Sequence, residues 1–181
     1  MAGLTTFLYF AYGSNLLAQR IHIKNPSATR VGPGVLQDYR LDFFLYAQRW
    51  GGNVATIVPH PGRNVSGAVW KLDSKDMESL DNQEGVHKNI YFPLEVDVKI
   101  GEKSVKCRTY QLVNIPKDCF DLNELPENRR PSRIYLETIL QGAFESNLPP
   151  EYIETLKNCA HNNFSSSENI PKLDIKFIHL K

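Results

Sequence analysis

The stretch Phe7-Leu8-Tyr9-Phe10-Ala11-Tyr12-Gly13-Ser14-Asn15-Leu16-Leu17 leaves the backbone few local choices. Its first half is apolar and aromatic, a composition that favours a buried strand. Gly13 predicts a break there, because glycine turns without a Cβ penalty. Ser14 and Asn15 are good helix N-caps, and Leu17 and Ile21 begin a helical apolar face. The chain is thus expected to pass from strand through a tight turn into a helix start. Such a turn aims backbone N–H groups at one point, and a helix N-terminus adds partial positive charge, so an anion or a developing oxyanion would be well held. Many turns of this kind bind nothing. Ser14 is a poor nucleophile candidate, since the elbow pattern needs a glycine on each side and Asn15-Leu16 follows instead.

Composition bounds what such a turn can serve. The length suits one domain, and a 41% hydrophobic content is enough for a core. The net charge of +1, with both signs interspersed, gives no basic stripe for nucleic acid. Cys107, Cys119 and Cys159 are odd in number and lack Cys-x-x-Cys spacing, which reads as reduced, intracellular thiols. The N-terminal apolar run lacks a basic flank and is too short to span a bilayer, so neither secretion nor a membrane partner is expected. His22, His60, His87, His161 and His179 are scattered, with no metal-ligand spacing, and no Gly-rich phosphate loop is present.

Further along, a helix is expected from about Leu16 to Lys24, stopping before Asn25-Pro26. Ala28–Leu36 reads as a strand broken at Gly32-Pro33-Gly34, and Tyr39–Tyr46 as another. Val54–Val58 and Gly67–Leu72 are short β-branched runs separated by the loop Pro59–Asn64. Asp73 or Ser74 begins a short helix ending near Glu84-Gly85, with the glycine as C-cap. Tyr91–Ile100 and Ser104–Val113 flank a hairpin turn at Gly101-Glu102-Lys103, with Leu94, Val96 and Val98 on one face. Pro116–Pro131 is a long polar loop. Pro131-Ser132 opens a helix with Tyr135, Ile139, Leu140 and Phe144 inward, and Glu151–Asn158 forms a second. Residues 1–160 are expected to form a single domain, followed by a tail, 161–181, in which Leu173–Leu180 is a strand or poorly ordered. These elements suggest an α+β fold, a curved mixed sheet that a small barrel would close, with helices outside.

One carboxylate stands out. Glu84 ends a helix beside Gly85, where the helix dipole is negative and an anion is poorly held. A solvated helix end is the simple explanation. If the group works as a base, the same placement raises its pKa.

Together the two stretches are recognisable. Phe7–Leu16 resembles the substrate loop of the γ-glutamylcyclotransferases, and Leu80-Asp81-Asn82-Gln83-Glu84-Gly85 is similar to the segment carrying that family's catalytic glutamate. Asn25-Pro26-Ser27-Ala28, Leu36-Gln37-Asp38-Tyr39, Ala55-Thr56-Ile57, Gly67-Ala68-Val69-Trp70, Cys107-Arg108-Thr109-Tyr110 and Leu148-Pro149-Pro150-Glu151-Tyr152 follow in order. The resemblance implies a small mixed β-barrel with peripheral α-helices, commonly a homodimer in the cytoplasm. It implies release of 5-oxoproline and a free amino acid from a γ-glutamyl amino acid, within glutathione metabolism, without metal or organic cofactor. Carried over, Glu84 is the acid/base, and Tyr9, Phe10, Ala11, Tyr12, Gly13 and Ser14 line the substrate cavity. Tyr135 adds a contact from the later helix.

That chemistry suits a chain without a nucleophilic triad. The substrate's own α-amino group closes a five-membered ring, and intramolecular placement is worth on the order of 7–11 kcal/mol. The protein supplies a base, an acid and oxyanion donors. Two alternatives are a γ-glutamylamine cyclotransferase of the same fold, whose loop would carry threonine after the glycine, and a non-catalytic protein binding a γ-glutamyl ligand. The sequence also departs from the family at Asn53, where a second glycine is usual; asparagine tolerates a left-handed backbone, so the turn is expected to survive. The loop Pro116–Arg130 and the tail beyond Asn158 have no clear family counterpart.

Overall fold

The computed structural model describes residues 5–170, 173–176 and 179–180. Five strands close a barrel in the order β1-β3-β2-β4-β5. β1 is Thr6–Ala11, β2 Thr29–Ala47, β3 Gly52–Asp73, β4 Tyr91–Ile100 and β5 Lys103–Leu112. All pairings are antiparallel except β1 with β5, where Tyr9 lies opposite Arg108 and the sheet becomes mixed. Closure leaves no long exposed edge. The barrel is filled by Phe10, Phe43, Ile57, Val65, Trp70, Leu72, Val98 and Leu112.

Two pairs of expected strands are each one long strand. Gly32, Pro33 and the 59–64 segment, read as breaks, are absorbed into β2 and β3 by register shifts at Arg30/Gly32, Gln37/Tyr39 and Phe44/Tyr46. The turn between them rests on Gly51, with φ +66°, and Asn53 lies within β3 rather than in a left-handed turn. The Asn53 side chain instead donates Nδ2 to the carbonyls of Asn128 and Arg130, at 3.1 and 3.2 Å.

The helices lie outside: α1 Ala18–His22, α2 Met77–Gln83, α3 Arg133–Glu145 and α4 Pro150–Lys157. Ser132 caps α3, its Oγ accepting from the Tyr135 amide at 3.2 Å. Tyr135, Ile139 and Leu140 face inward as expected, but Phe144 is 42% exposed. Helix α3 presses on the segment after β1: a Cβ on Gly142 would sit 2.4 Å from the Leu16 carbonyl carbon and the Leu17 nitrogen.

The 116–131 loop is held firmly. Leu125 is fully buried, and Arg129 donates to Asp42 at 2.5 Å, to Asp118 at 2.7 Å and to the Phe43 carbonyl at 2.8 Å. After α4, Asn162 Nδ2 donates to the Gly51 carbonyl at 2.7 Å, the Ile134 amide donates to the Phe164 carbonyl at 3.1 Å, and the Phe164 ring fills the space over Gly51. Among the described residues, 173–176 and 179–180 form no strand; Phe177 and Ile178, which also belong to the expected tail strand, lie outside the described residues.

Candidate active site

The loop leaving β1 does not form the expected helix to Lys24. It makes a 3₁₀ turn at Ser14–Leu16 and then the five-residue α1. Neither start has a side-chain cap, so Ser14 and Asn15 are not capping residues here. Helices this short contribute little dipole. Gly13, with φ −111°, is not in the left-handed region. A glycine is accommodated for another reason: a Cβ there would lie 3.3 Å from the Tyr135 hydroxyl and 3.5 Å from Ala55 Cβ.

Side chains from distant segments complete the hollow beside this turn. Tyr9, Tyr12, Gly13, Ser14 and Asn15 line it from β1 and the turn, Ala55 from β3, Glu84 from the end of α2, Tyr91 and Tyr110 from β4 and β5, and Tyr135 from α3. Expected site residues Glu84, Tyr9, Tyr12, Gly13, Ser14 and Tyr135 are therefore brought together. Phe10 and Ala11 are not: both are fully buried in the barrel core and form no part of the wall. Asn15, Ala55, Tyr91 and Tyr110 join it, although the sequence assigned none of them to the site. The slot is narrow, about 40 Å³ of free volume, and adjoins an outer cleft of about 690 Å³. Ser14, Glu84, Tyr91 and Tyr135 border both.

Glu84 sits at the C-cap of α2, its amide bonded to the Leu80 carbonyl at 3.0 Å, and Gly85 follows at φ +67°. A residue with a Cβ is strained in that conformation, so the glycine lets the chain reverse immediately after the acid. Burial drives the Glu84 pKa up to about 7, opposed by the charge of Arg20 and assisted by that of Asp81. Asp81 is itself fixed by Arg108, at 2.7 Å, and by the Tyr110 hydroxyl, at 2.5 Å. Asn15 Nδ2 donates to Glu84 Oε1 and lies near the Tyr9 hydroxyl, both at 3.2 Å, while Gln83 Nε2 donates back to Asn15 Oδ1 at 2.9 Å.

Burial also raises the pKa of Tyr9, Tyr12, Tyr91 and Tyr135, so all four hydroxyls stay protonated near neutral pH. Tyr12 donates to the Tyr110 carbonyl at 2.5 Å and Tyr91 to the Ala55 carbonyl at 2.7 Å. The Tyr135 oxygen accepts from the Ala55 amide at 3.1 Å and faces the Ser14 backbone. Among the described residues no acceptor for its proton is found. The cavity thus pairs one carboxyl group titrating near neutrality with fixed, uncharged donors, the parts needed for proton transfer beside a developing oxyanion. Among the described residues, no group of three His, Cys, Asp or Glu side chains is placed to hold a metal ion.

The chain belongs to the γ-glutamylcyclotransferase family. A profile of the AIG2-like family matches residues 64–156. γ-Glutamylcyclotransferase from Mus musculus is 42% identical over 88% of this chain and 81% of its own length. The Homo sapiens γ-glutamylcyclotransferase is also 42% identical, over 88% of this chain and 82% of its own. A solved γ-glutamyl cyclotransferase structure superposes with a TM-score of 0.79 at 41% identity, covering 90% of this chain and 92% of that one.

Proposed function

We propose that this enzyme converts γ-glutamyl-L-amino acids to 5-oxoproline and the free amino acid, with Glu84 as general acid and base. The observation that carries the reading is a carboxyl group titrating near 7, tied through Asn15 to the turn it shares a cavity with. The glutamyl half enters the inner slot, which has to widen beyond its 40 Å³ to take it, and the leaving amino acid extends into the outer cleft. Ionised Glu84 takes a proton from the substrate's α-ammonium, and the freed amine attacks the γ-carbonyl carbon. The carbonyl oxygen takes up negative charge opposite the Ser14 backbone and the Tyr135 hydroxyl. Glu84 then returns that proton to the departing nitrogen as the C–N bond breaks. The second proton, shed by the attacking nitrogen as it becomes the lactam N–H, passes to the freed amine, which leaves as ammonium with the enzyme unchanged.

The raised pKa matters to the first step. A free glutamic acid near 4.3 lies about 3.5 pH units below an α-ammonium near 8, an uphill transfer of about 5 kcal/mol. At about 7 the remaining gap is roughly 1 unit, or about 1.4 kcal/mol. Among the described residues no cysteine lines either cavity, and burial pushes the Cys107 and Cys159 thiols up to about 12, which favours the substrate's amine over a thiolate as nucleophile.

The same reading carries a homodimer acting in the cytoplasm, in glutathione metabolism, with residues 1–160 as the domain. The three free cysteines are consistent with a reducing compartment. Among the described residues, no helix is long and apolar enough to cross a membrane. Incubation with γ-glutamyl-L-alanine, followed by mass spectrometry, tests the activity. Equimolar 5-oxoproline and alanine are expected from the wild type and none from folded Glu84→Gln; turnover unchanged in that variant removes Glu84 from the mechanism.

A further inference from the structure

Arg20, on α1, is only 7% exposed, and its Nε is buried without a hydrogen-bond partner. Its guanidinium forms no ion pair among the described residues, although Glu84 and Arg49 are close enough to feel its charge. A buried, unpaired guanidinium is costly, and a second arginine beside it adds to the cost. An anionic ligand would offset it. Arg20 lines the outer cleft together with Arg49 and Lys88, where Glu84 is the only acidic residue on the wall among the described residues. It does not line the inner slot, although Glu84, Tyr135 and Tyr9 of that slot feel its charge, so a carboxylate held wholly inside the slot does not touch it.

We infer that Arg20 is the specificity-determining residue for the leaving group, binding the free α-carboxylate of the departing amino acid. The inference rests on the reading that places the glutamyl half in the slot. The scissile nitrogen then lies where slot and cleft meet, at Ser14, Glu84 and Tyr135. The carboxylate of a departing α-amino acid is one carbon removed from that nitrogen, just inside the cleft that Arg20 lines. A γ-glutamylamine has no carboxylate there and would leave the guanidinium unpaired.

The test compares kcat/KM for γ-glutamyl-L-alanine and γ-glutamyl-L-alaninamide, which differ in that charge alone. The wild type is expected to favour the acid by at least about 30-fold, the scale of a desolvated charge pair. In Arg20→Met the ratio should collapse to within a few-fold, and in Arg20→Lys it should fall partway. Circular dichroism establishes that each variant is folded, and the lysine variant decides should the methionine variant not fold. Product inhibition of the wild type gives a further readout, with L-alanine inhibiting and L-alaninamide not. Equal wild-type turnover of the two substrates, or a preference undiminished in a folded variant, overturns the assignment. Failure of the wild type to turn over either substrate overturns the underlying activity itself, a different result from loss of preference.

Discussion

The Nδ2 of Asn15 meets Oε1 of Glu84 at 3.2 Å, joining the turn after β1 to the end of α2. The same amide is returned a hydrogen bond by Gln83, so the residue bearing the acid and its sequence neighbour grip one asparagine. The carboxylate is therefore positioned by a side chain that reaches it from a different layer of the fold.

The pH dependence of kcat/KM should report this carboxyl group. The acidic limb is expected near pH 7, because the ionised form is the proposed base, and not near the 4.5 of an ordinary glutamate. Asn15→Asp places a second carboxylate beside the first and should move the limb upward by at least about one pH unit. A limb unchanged between the two proteins would show that Asn15 does not face the titrating group.

Stability should respond with the opposite sign. Between pH 4.5 and about 7 the folded chain keeps a proton on Glu84 that the unfolded chain has lost. Stability contributed by this group therefore falls as pH rises through that window and stays low above it. Displacement from 4.5 to about 7 corresponds to about 3 kcal/mol. Glu84→Gln should accordingly melt at higher temperature than the wild type at pH 8, and at nearly the same temperature at pH 5. Calorimetry at the two pH values checks this.

Gly13→Ala should cost function more than folding. Gly13, at φ −111° and ψ −140°, lies outside the main β and α regions, and a new Cβ would meet the Tyr135 hydroxyl at 3.3 Å. The melting temperature should fall by several degrees, the effect of about 1 kcal/mol, while kcat/KM measured well below that temperature drops about 10-fold or more as the slot narrows. Parallel melting and steady-state assays decide it.

Gly142→Ala sets two effects against each other. Helix propensity alone favours alanine by about 1 kcal/mol. The added methyl would sit 2.4 Å from backbone atoms of Leu16 and Leu17, and overpacking of this kind costs about 1–3 kcal/mol. We expect net destabilisation in urea titration, with reduced activity, since α3 carries Tyr135 and cannot shift without moving it.

Much of this was legible in the sequence, for local reasons. Alternation in Tyr91–Ile100 announced its strand, and Glu84-Gly85 announced a helix end carrying an acid. Long-range pairings were not legible. Asn15 looked like a cap because its actual partners, Glu84 and Gln83, lie far along the chain and nothing near it signals them. Tyr91 and Tyr110 enter the cavity only because β4 and β5 close the barrel against β1. Gly32 and Pro33 read as strand breaks because bulges that absorb such residues depend on a neighbouring strand. Arg20 sat in a short helical pattern, and only its burial sets it apart.

Phe164 and Asn162 hold the Gly51 turn, which carries Arg49 and Trp50 of the cleft wall, against the start of α3. The stretch following the last helix is thus a buttress for the doorway. Under the proposed placement of the substrate, changes there would act on the leaving-group cleft through Arg49 and Trp50 and also on Tyr135, which packs on Trp50 at 4.8 Å and follows the anchored Ile134, while Glu84 at the end of α2 keeps its own supports.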